Sequence, residues 1–349
     1  MYLTSFSYFR AIAIIFIVAG HLYKAAGIQF DHFANILVQN LIAGGTSLFV
    51  FISGFLFFHV FCQHFNFKEF YKKKLKYVLI PYLILGFLPL LYHVLSFKED
   101  WNGFFYPQGD GIIQMYLIPA LKYYATGRFM AAYWYIPFAI TLFMMSPLHR
   151  RFAYIKASHQ MLIILSLSVI AIFIHRPVDN LSMIQSLFYY TPVYLLGIFC
   201  SVHYERCIHL LKGYEVPLLL VVISLAITQT VYGHIGNYHK EAFNFAGIDL
   251  VYVQKIALCL FFMIYLKRYD HKTNKVIELI ASTSFSIYFL HIYFAWSIGI
   301  LNNKVNLGVD NGSWITYLTL LVSITGICIA IACLTKKLIP KYSRYIIGY

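Results

Sequence analysis

Charge is what this chain has least of. Asp, Glu, Lys and Arg together make up 11% of its 349 residues, against 60% apolar ones, and the mean hydropathy is +0.70. Such proportions leave too few ionic groups to cover a soluble domain and exclude that class. Strict alternation of apolar and polar residues over ~10 positions, the mark of a membrane β-barrel, is missing too. The six cysteines form no CxxC pair and lie in or beside apolar runs, so they are expected as small buried residues, without a disulfide or metal framework. No long linker, low-complexity tract, soluble appendage or clear internal repeat interrupts the chain, which is expected to be one membrane domain over residues 1–349. Nor does a convincing cleavage site follow the first apolar run, whose one strong charge, Arg10, sits inside it. It is expected to be a retained span and not a signal peptide.

What is present is a series of apolar stretches of about 20 residues, the signature of a polytopic all-α integral membrane protein. The expected spans are 5–23, 36–62, 77–97, 129–148, 159–175, 183–203, 215–232, 247–266, 279–301 and 314–334, ten in all. Residues 112–127, with Pro119 and Lys122, are short for a span and are expected as an interfacial or re-entrant helix. The formal net charge of +14 suggests nucleic acid at first sight. Its distribution argues against such a partner, because the cations cluster in short loops. With the N-terminus inside, the inner loops carry Lys68, Lys72, Lys73, Lys74, Lys76, Arg150, Arg151, Lys156, Arg206, Lys212, Lys267, Arg268, Lys272 and Lys275. The tail adds Lys336, Lys337, Lys341 and Arg344 on the same side. The outer loops hold only Lys24, Lys98, Lys122, Arg128, Arg176, Lys240 and Lys304. This bias places both termini in the cytoplasm.

The first span carries the most informative pair. Ten apolar or glycine residues separate Arg10 from His21. Eleven steps of about 100° come within about 20° of three full turns, so the two share one helix face, ~16 Å apart. Ionisable groups inside a membrane are costly and usually face a protein interior or a wet cavity. Histidine titrates near neutrality and is the usual base for removing a hydroxyl proton. The plain alternative is an interfacial histidine reaching toward headgroups beside Tyr23 and Lys24. Arg10, with an anionic ligand as its partner, weighs against that alternative.

Other features have two readings each. Gly44, Gly45, Thr46, Ser47, Ser53 and Gly54 in the second run permit close helix packing, or open a slot for a narrow acyl chain. The lysines of FKEFYKKKLKYVLIPY make an ordinary inner loop that meets lipid headgroups, or a phosphate-binding patch. The aromatic loop around Trp101, Phe104, Phe105, Tyr106, Tyr116, Tyr123 and Tyr124 suits a carbohydrate or a membrane surface. Lys255, with Asp249 nearby, either lines a cavity or is simply paired.

Together these residues resemble the membrane-bound acyltransferase family 3. Arg10 and His21 match its arginine, ten residues, histidine motif. LFVFISGF resembles its FFFxSGF segment, and the basic loop before Ile80-Pro81-Tyr82 is similar to its RRxxR…P stretch. YWYIPFAITLFMMSPL, Tyr133 to Leu148, resembles its HLWYL…P span, and SIYFLHI, Ser286 to Ile292, its late SxYLxH motif. The matches run in the family's order over nearly the whole chain. Two places depart: the loop arginines appear as Lys74 and Tyr77, and the histidine before the Trp is Ala132. Lysine keeps the charge but loses the bidentate fork.

The resemblance implies an integral-membrane O-acyltransferase of a bacterial plasma membrane. It would move an acyl group, usually acetyl, from cytoplasmic acetyl-CoA to a hydroxyl of a cell-surface or lipid-linked polysaccharide, without a metal. It implies catalytic roles for His21 and Arg10, donor contacts from Arg10, Lys72, Lys73, Lys74 and Lys76, and substrate contacts from Ser53, Tyr133, Trp134, Tyr135 and His291. Polysaccharide-synthesis proteins are the implied protein partners. A transporter or flippase of lipid-linked glycans, or a non-catalytic subunit of an export complex, is the alternative. The topology is directly testable. A cysteine placed at Asn102 should react with a membrane-impermeant reagent applied to intact cells, while one at Lys73 should react only after permeabilisation.

Overall fold

The computed structural model describes residues 3–96 and 103–349. Lys98, Trp101 and Asn102, which the sequence assigns to an outer loop, lie outside the described residues. The chain is helical almost throughout. Its helices are α1 (Thr4–Leu22), α2 (Phe33–Ile42), α3 (Gly45–Leu56), α4 (Phe67–Lys74), α5 (Ile80–Ser96), α6 (Ile118–Thr126), α7 (Tyr135–Met144), α8 (Ser146–Ala153) and α9 (Ala157–Ile174). They continue with α10 (Met183–Val202), α11 (Tyr204–Leu211), α12 (Glu215–Val231), α13 (Leu250–Leu266), α14 (Lys275–Val305), α15 (Trp314–Leu338) and the single turn α16 (Ser343–Ile346). Two short strands, β1 (Arg176–Pro177) and β2 (His239–Lys240), pair in parallel.

Among the described residues, eight helical stretches are long and apolar enough to cross a membrane, or nine if α11 and α12, bent by 79° at their break, form one span. Ten is therefore not reached on length and apolarity. The shortfall lies at 129–148, where the apolar run divides into the ten-residue α7 and the short α8. Pro147 sits in the first turn of α8, and a proline there starts a new helix because it has no amide to continue the old one. Upstream, Gly127 has φ 70° and a Cβ on it would lie 2.4 Å from the Tyr133 carbonyl oxygen, so the chain turns there before α7 begins. The segment 112–127 is a turn of π-helix running into α6, short as the sequence suggests.

Around α1 the bundle closes on several sides, with α14, α3, α13 and α15 packed against it. Its residues divide between two apolar cores. Phe6, Phe9 and Ala13 belong to one; Ile14, Val18, Ala19 and Leu22 belong to the other. Phe49 and Tyr135 pack against both, and the space between the cores holds the site. The glycine-rich second run packs closely in one part and borders open space in another. At Gly54 and Gly197, α3 and α10 press backbone on backbone: an added Cβ would meet the Tyr194 oxygen at 2.0 Å and the Phe51 oxygen at 2.2 Å. Gly44 and Gly45 instead border the cavity.

Lys255 and Asp249 are not paired with each other. Lys255 is fully buried and its Nζ donates to the Leu41 carbonyl at 2.7 Å. Asp249 accepts from the Tyr189 hydroxyl at 2.9 Å and the Tyr252 amide at 2.8 Å. Close packing at Gly54 yields a stability test. Gly54→Ala should cost at least ~2 kcal/mol, since overpacking a filled interface forces backbone apart. Gly326→Ala, where nothing lies within 4 Å of the added carbon, should leave the thermal midpoint of the detergent-solubilised protein unchanged.

Candidate active site

A cavity of about 870 Å³ runs between the two cores, lined by Arg10 near one end of α1 and by His21 at the other. The shared face inferred from their spacing is thus a wall of one continuous space. Six cationic side chains border it, Arg10, Lys73, Lys74, Arg176, Lys336 and Arg344, and no Asp or Glu does so among the described residues. Five of them gather at the Arg10 end with the lysine-rich helix and the C-terminal residues. Arg10 donates to the Ser284 hydroxyl at 3.0 Å. Lys74, standing where the family has an arginine, keeps its ammonium 4.4 Å from the Phe143 ring centroid, 5.2 Å from Phe70 and 5.3 Å from Phe61. Aromatic faces attract a cation without neutralising it. Arg344 sits 4.1 Å over the Tyr77 ring and Lys336 4.0 Å over Tyr349.

The expected site residues divide. Arg10, His21, Ser53, Lys73, Lys74, Trp134 and Tyr135 line the cavity. Lys72 is exposed and outside it, and Lys76 turns to the Tyr345 ring, 4.7 Å away. These two do not line the cavity: successive side chains point around a helix, so only part of a basic run that continues from α4 into the π-helical turn Leu75–Leu79 faces inward. Tyr133 is buried with its hydroxyl donating to the Phe289 carbonyl at 2.9 Å, so it braces α14 and does not border the cavity. His291 is also buried and outside the lining. Its ring centroid lies 5.4 Å from that of His21, and its Nδ1 bonds the Ile287 carbonyl at 2.9 Å. Nδ1 must therefore carry the proton, and His291 stands behind His21 without bordering the cavity. The late motif does a second job: the Ser286 hydroxyl donates to the Ile347 carbonyl at 2.7 Å and ties down the C-terminal residues.

Three lining cations escaped the reading of the sequence: Lys336, Arg344 and Arg176. All were counted as loop or tail charges, and no motif singles them out. Arg176 is the least expected. It is 6% exposed, at the His21 end, with its guanidinium 5.1 Å over the Trp134 ring. The backbone around it is strained. His175 has φ 55° and ψ −178°, Asp179 φ 52° and Asn180 φ 55°, positions that cost of order 1–3 kcal/mol each for residues with a Cβ. Tertiary bonds hold them. The Arg176 amide donates to the Tyr238 carbonyl at 3.2 Å, and Gln185 Nε2 reaches the carbonyls of Ile174, at 3.0 Å, and Lys240, at 2.9 Å. His239 Nδ1 bonds the Pro177 carbonyl at 2.9 Å. Burial first, and the Arg176 charge second, hold the His239 imidazole down at about 4, so it is neutral at pH 7 and donates through Nδ1.

Residues 3–333 match the family profile described as an acyltransferase domain. The chain belongs to acyltransferase family 3. No curated protein and no solved structure matches it. The family and the apolar helices together make the chain a multi-pass membrane acyltransferase. The cavity's geometry predicts which histidine a reagent reaches. Diethyl pyrocarbonate should modify His21 and spare His291, as read by mass spectrometry of the first-span and α14 peptides; the opposite pattern would refute the arrangement.

Proposed function

We propose that this acyltransferase moves an acyl group, acetyl in the first instance, from cytoplasmic acyl-CoA to a hydroxyl of a cell-surface or lipid-linked polysaccharide, in a bacterial plasma membrane with both termini inside. One observation carries the reading: a single cavity joins a cationic end, which no Asp or Glu side chain borders among the described residues, to a histidine ~16 Å further along the same helix face. Phosphates are the ligands such an end favours, through charge-assisted bonds from Arg10, Lys73, Lys74, Lys336 and Arg344. CoA presents its phosphates at one end of a slender pantetheine arm and its thioester at the other, which suits the distance to His21. Trp134 and Tyr135 supply flat faces with polar tips for a sugar.

In the reaction, the hydroxyl oxygen bonds to the thioester carbon as His21 takes its proton. The C–S bond breaks, CoA leaves as the thiolate, and the imidazolium returns a proton. A positioned base contributes ~10²–10⁴-fold, and a thiolate leaves without a strong acid. Direct transfer is favoured over an acyl-histidine, since donor and acceptor approach one base from opposite ends. Polysaccharide-synthesis proteins would deliver the acceptor, and mass spectrometry of surface polysaccharide with and without the gene would name it.

The mechanism is tested on the purified protein by release of free CoA. His21→Gln should lose ~10²-fold or more of the turnover, because glutamine hydrogen-bonds but takes no proton; substantial residual turnover would sink the mechanism. Arg10→Ala and Arg344→Ala should raise the donor KM, whereas Lys72→Ala should not. Radiolabelled donor alone should leave the first span unlabelled.

A further inference from the structure

The second apolar run does not cross the bundle unbroken. It stops at Ile42 and restarts at Gly45, with Gly44 at φ 79°. A side chain at Gly44 would meet Val251 Cγ1 at 2.8 Å and Lys255 Cγ at 3.0 Å, so only glycine turns there. Lys255 and Asn40 hold the break: the first through the Leu41 carbonyl, the second through the His234 carbonyl at 2.8 Å and the Gly236 amide at 2.7 Å. The result is a helix N-terminus in the middle of the protein. No side chain caps α3; the Ser47 amide donates to the Gly44 carbonyl at 2.9 Å, which leaves the Gly45 and Thr46 amides at the positive end of the helix dipole without an intrahelical partner. Gly45 and Thr46 line the cavity together with Gly20 and His21. A Cβ on Gly45 would be 3.1 Å from Phe16 Cβ, which puts this N-terminus against the turn of α1 that precedes His21.

Arg176 supplies an independent observation at the same place. It lines the cavity with Gly44, Gly45 and Thr46, and Tyr190 packs beside both Arg176 and Thr46. One Nη donates to Asn180 Oδ1 at 3.2 Å. Its Nε is buried with no hydrogen-bond partner among the described residues. Asp249 does not take it, being engaged by Tyr189 and Tyr252. A strained loop thus holds a desolvated, partly unused guanidinium in the same cavity as the Gly45 and Thr46 amides and the base.

We propose that the N-terminal amides of α3 and Arg176 together bind the carbonyl oxygen of the transferred acyl group and stabilise the negative charge it gains during transfer. The assignment rests on the acyl-transfer reading above. When the hydroxyl oxygen bonds to the thioester carbon and His21 takes the proton, the C=O pair moves onto oxygen. That oxyanion meets the amides and the guanidinium. As the pair returns, the C–S bond breaks and the thiolate leaves. Donors fixed in advance toward developing charge, in a site shielded from water, stabilise it far more than water does.

The test compares wild type, Arg176→Gln and Arg176→Lys as purified full-length protein with acetyl-CoA, with acceptor and, for slow hydrolysis by water, without it. Loss of one oxyanion donor should lower kcat by ~10²–10³-fold in both reactions, with both KM values unchanged; Arg176→Lys should recover part of it. A raised acceptor KM with acceptor-free hydrolysis unchanged would make Arg176 an acceptor contact and overturn the proposal. So would two variants that match wild type. A second measurement needs no turnover: the infrared stretch of bound acetyl-CoA labelled with ¹³C at the carbonyl, in a His21→Ala background. It should fall below that of free donor, and fall less when Arg176→Lys is added; an unshifted band in both overturns the proposal. Wild-type protein that neither consumes nor binds acetyl-CoA would defeat the acyl-transfer reading itself.

Discussion

The bond from Lys255 Nζ to the Leu41 carbonyl, 2.7 Å long, is the contact on which the middle of this protein depends. Backbone that leaves the helix at membrane depth is tolerated only where it is buried in protein or borders a cavity. The Ala43–Gly44 break meets both conditions. Lys255 satisfies an end of α2, and Gly44 and Gly45 border the cavity. Remove the break, and the second run would pass α1 as a continuous apolar rod, with no polar backbone near His21. The buried lysine is thus a structural hydrogen-bond donor whose consequence is chemical.

The cations that border the cavity are kept differently. Where a carboxylate would neutralise them, this chain uses aromatic faces: three rings around Lys74, Tyr77 under Arg344, Tyr349 under Lys336 and Trp134 under Arg176. A ring quadrupole holds a cation in place at modest gain and leaves its charge available. That arrangement explains part of an aromatic content of 19%, which interfacial belts alone do not require. It also explains how six cations border one cavity, with no Asp or Glu side chain beside them among the described residues, and still keep fixed places.

Much was legible in the residues themselves. Span-length apolar runs imply a helical membrane domain, because backbone in hydrocarbon must satisfy its own hydrogen bonds. The eleven-residue interval between Arg10 and His21 placed both on one face by helix geometry alone. Five short motifs in order indicated the family that residues 3–333 match. The number of crossings was less legible, since Pro147 and the Gly127 turn divide a run whose composition is continuous.

What tertiary structure alone decided is which polar groups meet. Lys72 and Lys76 belong to the same basic run as Lys73 and Lys74, yet only the latter two face the cavity, because inward direction depends on what packs against α4. Arg176 lies 155 positions from His21 in the chain, and Arg344 lies 334 from Arg10. No local period connects such residues. Their meeting depends on a two-residue parallel strand pair, a tail tied to Ser286 and a helix broken at Gly44. A sequence states helix faces and apolar lengths because these follow from local geometry; it is silent on long-range contacts, which exist only once the chain has packed.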